Sequence, residues 1–150
     1  MDADRRPTSP RVKREIITFE VGGQLFGMDI VAIREIRAWS PVTRMPGVPP
    51  YVAGMANLRG AILPVIDLAA RLGWQTTEAS ERHAIIVVHV DGHARGLLVE
   101  AVSDLVEIEA GSLQPPPAMG DVEIIGFIEG LAPVGYRMLQ VLNIASIVAS

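Results

Sequence analysis

At 150 residues and 16.1 kDa, 49% apolar and 20% charged, the chain is sized for one domain or two very small ones and is too apolar to be disordered. With no cysteine and a single lysine, Lys13, it excludes thiolate metal sites, disulfides and cysteine nucleophiles, and leaves one position for a Schiff-base or phosphate-binding amine. The net charge of −4 carries no nucleic-acid footprint, yet it is a gradient: residues 1–14 hold five basic and two acidic groups, residues 34–71 five arginines against Glu35 and Asp67, and residues 96–136 seven acids and no base.

The first ten residues contain no apolar stretch of the kind a secretory signal needs, which points to a cytoplasmic protein. Residues 1–14 read as a flexible basic N-terminal arm ahead of a folded domain at 15–150. The longest aliphatic run, 84–88, is far too short to span a membrane. Apolar residues alternate at Ile17, Phe19 and Val21 and again at Phe26, Met28 and Ile30, with Gly22-Gly23 between, which predicts a hairpin. Asp29 is placed to cap a short helical turn running to Ile33. A strand is expected at 36–42, stopped by Pro46, Pro49 and Pro50. Residues 54–66 predict a strand, a turn at Arg59-Gly60 and a second strand, with Asp67 capping a helix of one or two turns that ends at Gly73. A further hairpin turns at Asp91-Gly92 between strands at 83–90 and 93–99. Strands at 104–108, 123–131 and 137–142 and a short helix capped by Asn143 complete the chain. About ten short strands with few helices make an all-β protein of barrels or sandwiches.

Catalytic patterns are missing. No serine sits in a G-x-S-x-G elbow, no lysine follows the glycines at 54–60, and no strand–helix glycine fingerprint occurs. Glu107 with Glu109, or Asp121 with Glu123, share a strand face by alternation, which the solubility of an edge strand explains. His89, Asp91 and His93 resemble a metal site only on paper: about the Asp91-Gly92 turn Val90 opposes His93 and His89 opposes Ala94, so the two imidazoles fall on opposite faces. What remains is surface. Residues 46–67 are mostly apolar and carry no charge apart from Arg59, at the tip of a strand–turn–strand, and Asp67. Glu35 is the nearest apt partner for Arg59; a structural ion pair and a partner-binding arginine are equally compatible with the pattern. An oligonucleotide- or sugar-binding barrel is the competing class, opposed by scattered aromatics and an acidic second half.

The blocks GQLFGMDIVAIREI, Met45-Pro46 spaced to Tyr51-Val52-Ala53-Gly54, NLRGAILPVIDL, AIIVVHVDGHARGLLVEAVSDL and RMLQVLNIASIV occur in that order. In this the chain resembles the CheW-like chemotaxis coupling domains from about Glu15 to Val148. It departs at Glu100 and at Asn143, where the family often has Asp. The resemblance implies two interlocked five-stranded SH3-like β-barrels, no catalysis and no cofactor. It implies an adaptor joining the helical hairpin tips of chemoreceptors to the regulatory domain of the histidine kinase CheA, in cytoplasmic receptor arrays, with self-association into rings and without nucleic acid or membrane insertion. An array controlling pili or a second-messenger enzyme is the alternative setting. Carried over by motif position, the receptor groove involves Ile33, Glu35, Leu58, Arg59, Gly96, Val102 and Leu105, and the kinase contact Val42, Gly54 and Met55, with a second contact in the acidic half. Ile33, Val102 and Leu105 also suit the core of any barrel.

Overall fold

The computed structural model of the chain describes residues 12–117 and 125–149. The N-terminal arm up to residue 11, Asp121, Glu123 and the start of the strand expected at 123–131 lie outside these residues. The elements in order are β1 (Lys13–Val21), β2 (Gln24–Asp29), a 3₁₀ turn (Ile30–Ala32), β3 (Ile33–Ala38), β4 (Val52–Leu58), β5 (Ala61–Asp67) and α1 (Leu68–Arg71). Then come β6 (Ala84–Val90), β7 (His93–Val99), β8 (Ala101–Glu109), β9 (Ile128–Val134), β10 (Arg137–Leu142) and α2 (Ile144–Val148).

The turn chemistry operates as expected. Gly22 and Gly23 have φ of 59° and 75°, Arg59 and Gly60 54° and 85°, and Asp91 and Gly92 51° and 79°. Two successive left-handed residues give the turn twist that matches right-twisted strands. Asp29 accepts from the Val31 amide, Asp67 from Ala70 and Asn143 from Ser146, so the 3₁₀ turn, α1 and α2 are capped by the predicted residues.

Several boundaries differ from expectation, among them β9, which runs Ile128–Val134 where a strand was expected at 123–131, residues 125–127 forming a helical turn. β1 begins at Lys13, inside the segment read as an arm, because Lys13 and Arg14 pair with Glu109 and Ile108 of β8. β3 runs from Ile33 to Ala38, not 36–42: Ile33 already pairs with Val88, and Trp39 leaves the ladder after one bond to His83. β8 starts at Ala101, three residues before the expected Asp104, and absorbs Ser103 as an irregularity between the Thr18–Asp104 and Phe19–Val102 pairs.

The strands form two five-stranded sheets, β8-β1-β2-β10-β9 and β3-β6-β7-β5-β4. Each is closed toward a barrel by one bridge between the segment after its first edge strand and its other edge: Gln114 to Leu131 in one, Thr43 to Met55 in the other. The barrels interlock because the chain crosses between them twice, from β2 to β3 and from β7 to β8. They also repeat one plan. Each has a central antiparallel hairpin (β1–β2, β6–β7), a parallel partner for its second strand (β10, β5), a second hairpin (β9–β10, β4–β5) and a short capped helix after it. Gly27 and Gly96 hold matching positions: an added Cβ would lie 2.6 Å from Ile16 in one and 2.9 Å from Ile85 in the other.

Burial follows the same plan. Ile16, Leu25, Leu139 and Val141 fill the first barrel, and Leu58, Leu63, Val65, Ile85, Val87 and Leu98 help fill the second. The largest cluster lies between them, with Phe19, Phe26 and Met28 meeting Ile66, Ile86, Val88, Leu97 and both helices. Burial of this apolar seam is what joins the halves. The charge gradient is thereby sorted in space. The barrel built from 33–99 carries seven basic and five acidic residues, while the other carries three basic and eight acidic among the described residues.

Candidate functional site

The expected groove residues divide into three groups. Ile33 and Val102 are half-buried and pack against the inter-barrel cluster, at matching positions opposite Val88 and Phe19. Leu105 pairs with Ile17, which packs on the same cluster, and stays 48% exposed on edge strand β8. The matching residue of the other edge strand is Ile36, opposite Ile86 and 42% exposed. Sequence reasoning missed Ile36 as a site residue, although it stood at the start of the expected strand; the irregularity between Ile33 and Glu35 puts it on the same face as Ile33. Leu58 and Gly96, by contrast, are inside the β3–β7 barrel. Gly96 leaves no room for a side chain beside Ile85 and Val65.

Glu35 and Arg59 form the polar part of the site. β3 and β4 are the two edges of their sheet, and the β4–β5 turn brings Arg59 Nη2 to 3.3 Å from Glu35 Oε2. Arg37 Nη1 is 3.6 Å from the same oxygen. The side chain of Arg59 is 78% exposed, so its head is not a buried charge in need of rescue. In the other barrel Arg14 plays the corresponding role. It reaches from β1 to Glu129 on edge strand β9 and donates to Asp29 at 3.0 Å, with only 20% of its side chain exposed. The hydrogen bond to Glu129, aided by Asp29 and opposed by burial, raises its pKa above the ordinary guanidinium value.

Val42, Gly54 and Met55 come together where the β3–β7 barrel closes. Thr43 and Met55 exchange two backbone hydrogen bonds of 2.9 and 2.7 Å, and a Cβ on Gly54 would lie 2.5 Å from the Thr43 oxygen and 2.8 Å from Val42. A cleft of about 310 Å³ beside them is lined by Trp39, Val42, Arg44, Val52 and Leu98. Its one buried charge, Asp67, is satisfied by the Thr77 amide at 2.6 Å and hydroxyl at 2.7 Å.

Among the described residues, no group of His, Asp and Glu is placed to hold a metal, and β6–β7 pairs His89 with Ala94 and Val90 with His93. Glu107 lies on edge strand β8 and meets Lys13 at 3.4 Å. No described helix is long and apolar enough to cross a membrane.

The model of the CheW-like domain matches residues 15–150. The chain belongs to the CheW-like family. It is 43% identical over 137 residues to the chemotaxis protein CheW of Rhizobium meliloti, covering 91% of this chain and 88% of that one. It is 42% identical to a probable chemotaxis protein CheW of Rhizobium etli, over 89% and 86% of the two chains. The crystal structure of the scaffolding protein TtCheW from Thermoanaerobacter tengcongensis superposes with a TM-score of 0.84 at 29% identity, covering 98% and 95%. The family consists of chemotaxis scaffolds and adaptors rather than enzymes, which is the class of this chain.

Proposed function

We propose that the chain couples the helical hairpin tips of chemoreceptors to the regulatory domain of CheA, in the cytoplasm and within receptor arrays. The observation that carries this reading is the seam between the barrels. Two edge strands present Ile33, Ile36, Val102 and Leu105 toward it, and the solvated guanidinium of Arg59 stands on the same barrel as Ile33. An apolar furrow suits the apolar face of an amphipathic helix, and a solvated guanidinium on the same barrel can read a polar partner.

The kinase contact belongs to the closed end of the β3–β7 barrel, at Val42, Gly54 and Met55. A basic barrel can meet the acidic barrel of a related double-barrel domain head to tail, and such heterologous contacts close into rings or extend. The test is a titration of the chain with a receptor-tip fragment and with the kinase regulatory domain, separately and together. Binding to both is expected, with kinase affinity falling as salt rises from about 0.1 to about 0.5 M and the screening length shrinks from ~10 Å. Binding to neither partner would sink the reading, and salt-independent kinase binding would remove its electrostatic part.

A further inference from the structure

The two barrels follow one plan, and one residue breaks it at their junction. Tyr51, just before β4, accepts through its backbone oxygen from the amide of Asp67, the cap of α1. Phe127, just before β9, accepts in the same way from Asn143, the cap of α2. The two rings are therefore counterparts, one from each barrel. Arg71, the last residue of α1, lies against both, its guanidinium carbon 4.3 Å from the centroid of Tyr51 and 4.7 Å from that of Phe127. The matching position on α2 is Ile147, which is fully buried and apolar.

Nε and Nη2 of the arginine donate to the end of the other barrel's helix. Nε donates to the Ile147 oxygen at 2.8 Å, and Nη2 to Ser146 at 3.2 Å and Ala149 at 2.9 Å. These are carbonyls at the end of a five-residue helix, where acceptors lack partners within the helix and a cation is favoured. The planar head thus makes a three-carbonyl fork in its plane and stacks on its faces, a combination a lysine does not reproduce. The apolar cluster beneath is non-directional and resists sliding poorly, whereas this fork defines a direction.

We infer that Arg71 is a positioning residue that sets the angle between the two barrels and, through it, the width of the seam between β3 and β8. The second half of this statement rests on the receptor-binding reading; the first does not. Because the chain has no cysteine, paired labels can be placed cleanly. Ile62→Cys and Met138→Cys, exposed and one on each barrel, carry spin labels for a dipolar distance measurement on the free protein. A single narrow distribution is expected with Arg71 present, at least twice as broad in Arg71→Ala, and still broadened in Arg71→Lys. An unchanged width overturns the inference. In unlabelled chains, Arg71→Ala is expected to weaken receptor-tip binding at least fivefold and to leave binding of the kinase regulatory domain within twofold. Equal loss of both partners marks a general destabilisation and contradicts a positioning role. If Arg71→Ala does not fold, Arg71→Lys carries both measurements. If the parent chain fails to bind the receptor tip, the receptor reading falls while the distance widths still decide the role of Arg71.

Discussion

The two barrels use the same device for different ends. Each has an arginine paired with a carboxylate on an edge strand, Arg14 of inner strand β1 with Glu129 in the acidic barrel and Arg59 of the β4–β5 turn with Glu35 in the basic one. Arg14 is four-fifths covered, bonded to two carboxylates and strengthened as a cation by them. Arg59 keeps most of its side chain in water, where an ion pair contributes about 0–1 kcal/mol. The first arginine is committed to partners within its barrel; the second is available to a partner outside it. Coverage marks the difference.

The largest effect is expected where the barrels close through backbone. Gly54→Ala would drive a Cβ into the Thr43 oxygen, which is held by the bridge itself, and is expected to cost about 3 kcal/mol in chemical denaturation. At the matching closure in the acidic barrel, Gly130→Ala meets the Leu113 side chain first, at 2.7 Å, and is expected to cost about half as much. Equal costs would mean that the two closures are equally tight. Next in size is Arg14→Ala. Removing it takes the arginine from Glu129 and leaves Asp29 only the Val31 amide, and about 2 kcal/mol should be lost from the unfolding free energy, in line with hydrogen bonds to charged groups. A change below about 0.5 kcal/mol, as for a surface pair, would erase the contrast with Arg59.

Local chemistry made much of this legible. The turns at Gly22-Gly23, Arg59-Gly60 and Asp91-Gly92 and the caps at Asp29, Asp67 and Asn143 act within a few residues of themselves, so their signals survive in the sequence. The edge strands were harder. β3 and β8 lie at sheet margins where one side is free, and their mixed charged and apolar residues blur the alternation that marks an inner strand. The parallel pairings of β2 with β10 and β5 with β7 have no local cause and appear only once the chain is folded. Of the residues expected in the groove, Ile33 and Val102 pack on the cluster between the barrels and Leu105 is exposed opposite Ile17, whereas Leu58 and Gly96 serve the interior of their barrel. Arg71 gave no sign of its task, because Tyr51, Phe127 and the end of α2 reach it from distant parts of the chain. A comparison of LPVIDLAARL with LQVLNIASIV, the β5–α1 and β10–α2 segments, was the available clue to the repeated plan.

The smallest expected effect on stability belongs to the residue with the largest expected effect on binding. Arg59→Ala should change the unfolding free energy by no more than about 1 kcal/mol, the range of an exposed ion pair. The most direct test measures receptor-tip affinity and unfolding on the same preparation of that variant. A folded protein of near-parental stability is expected, with affinity for the receptor tip lowered at least tenfold, about 1.4 kcal/mol of binding free energy. Parental affinity in a folded Arg59→Ala protein would contradict this expectation.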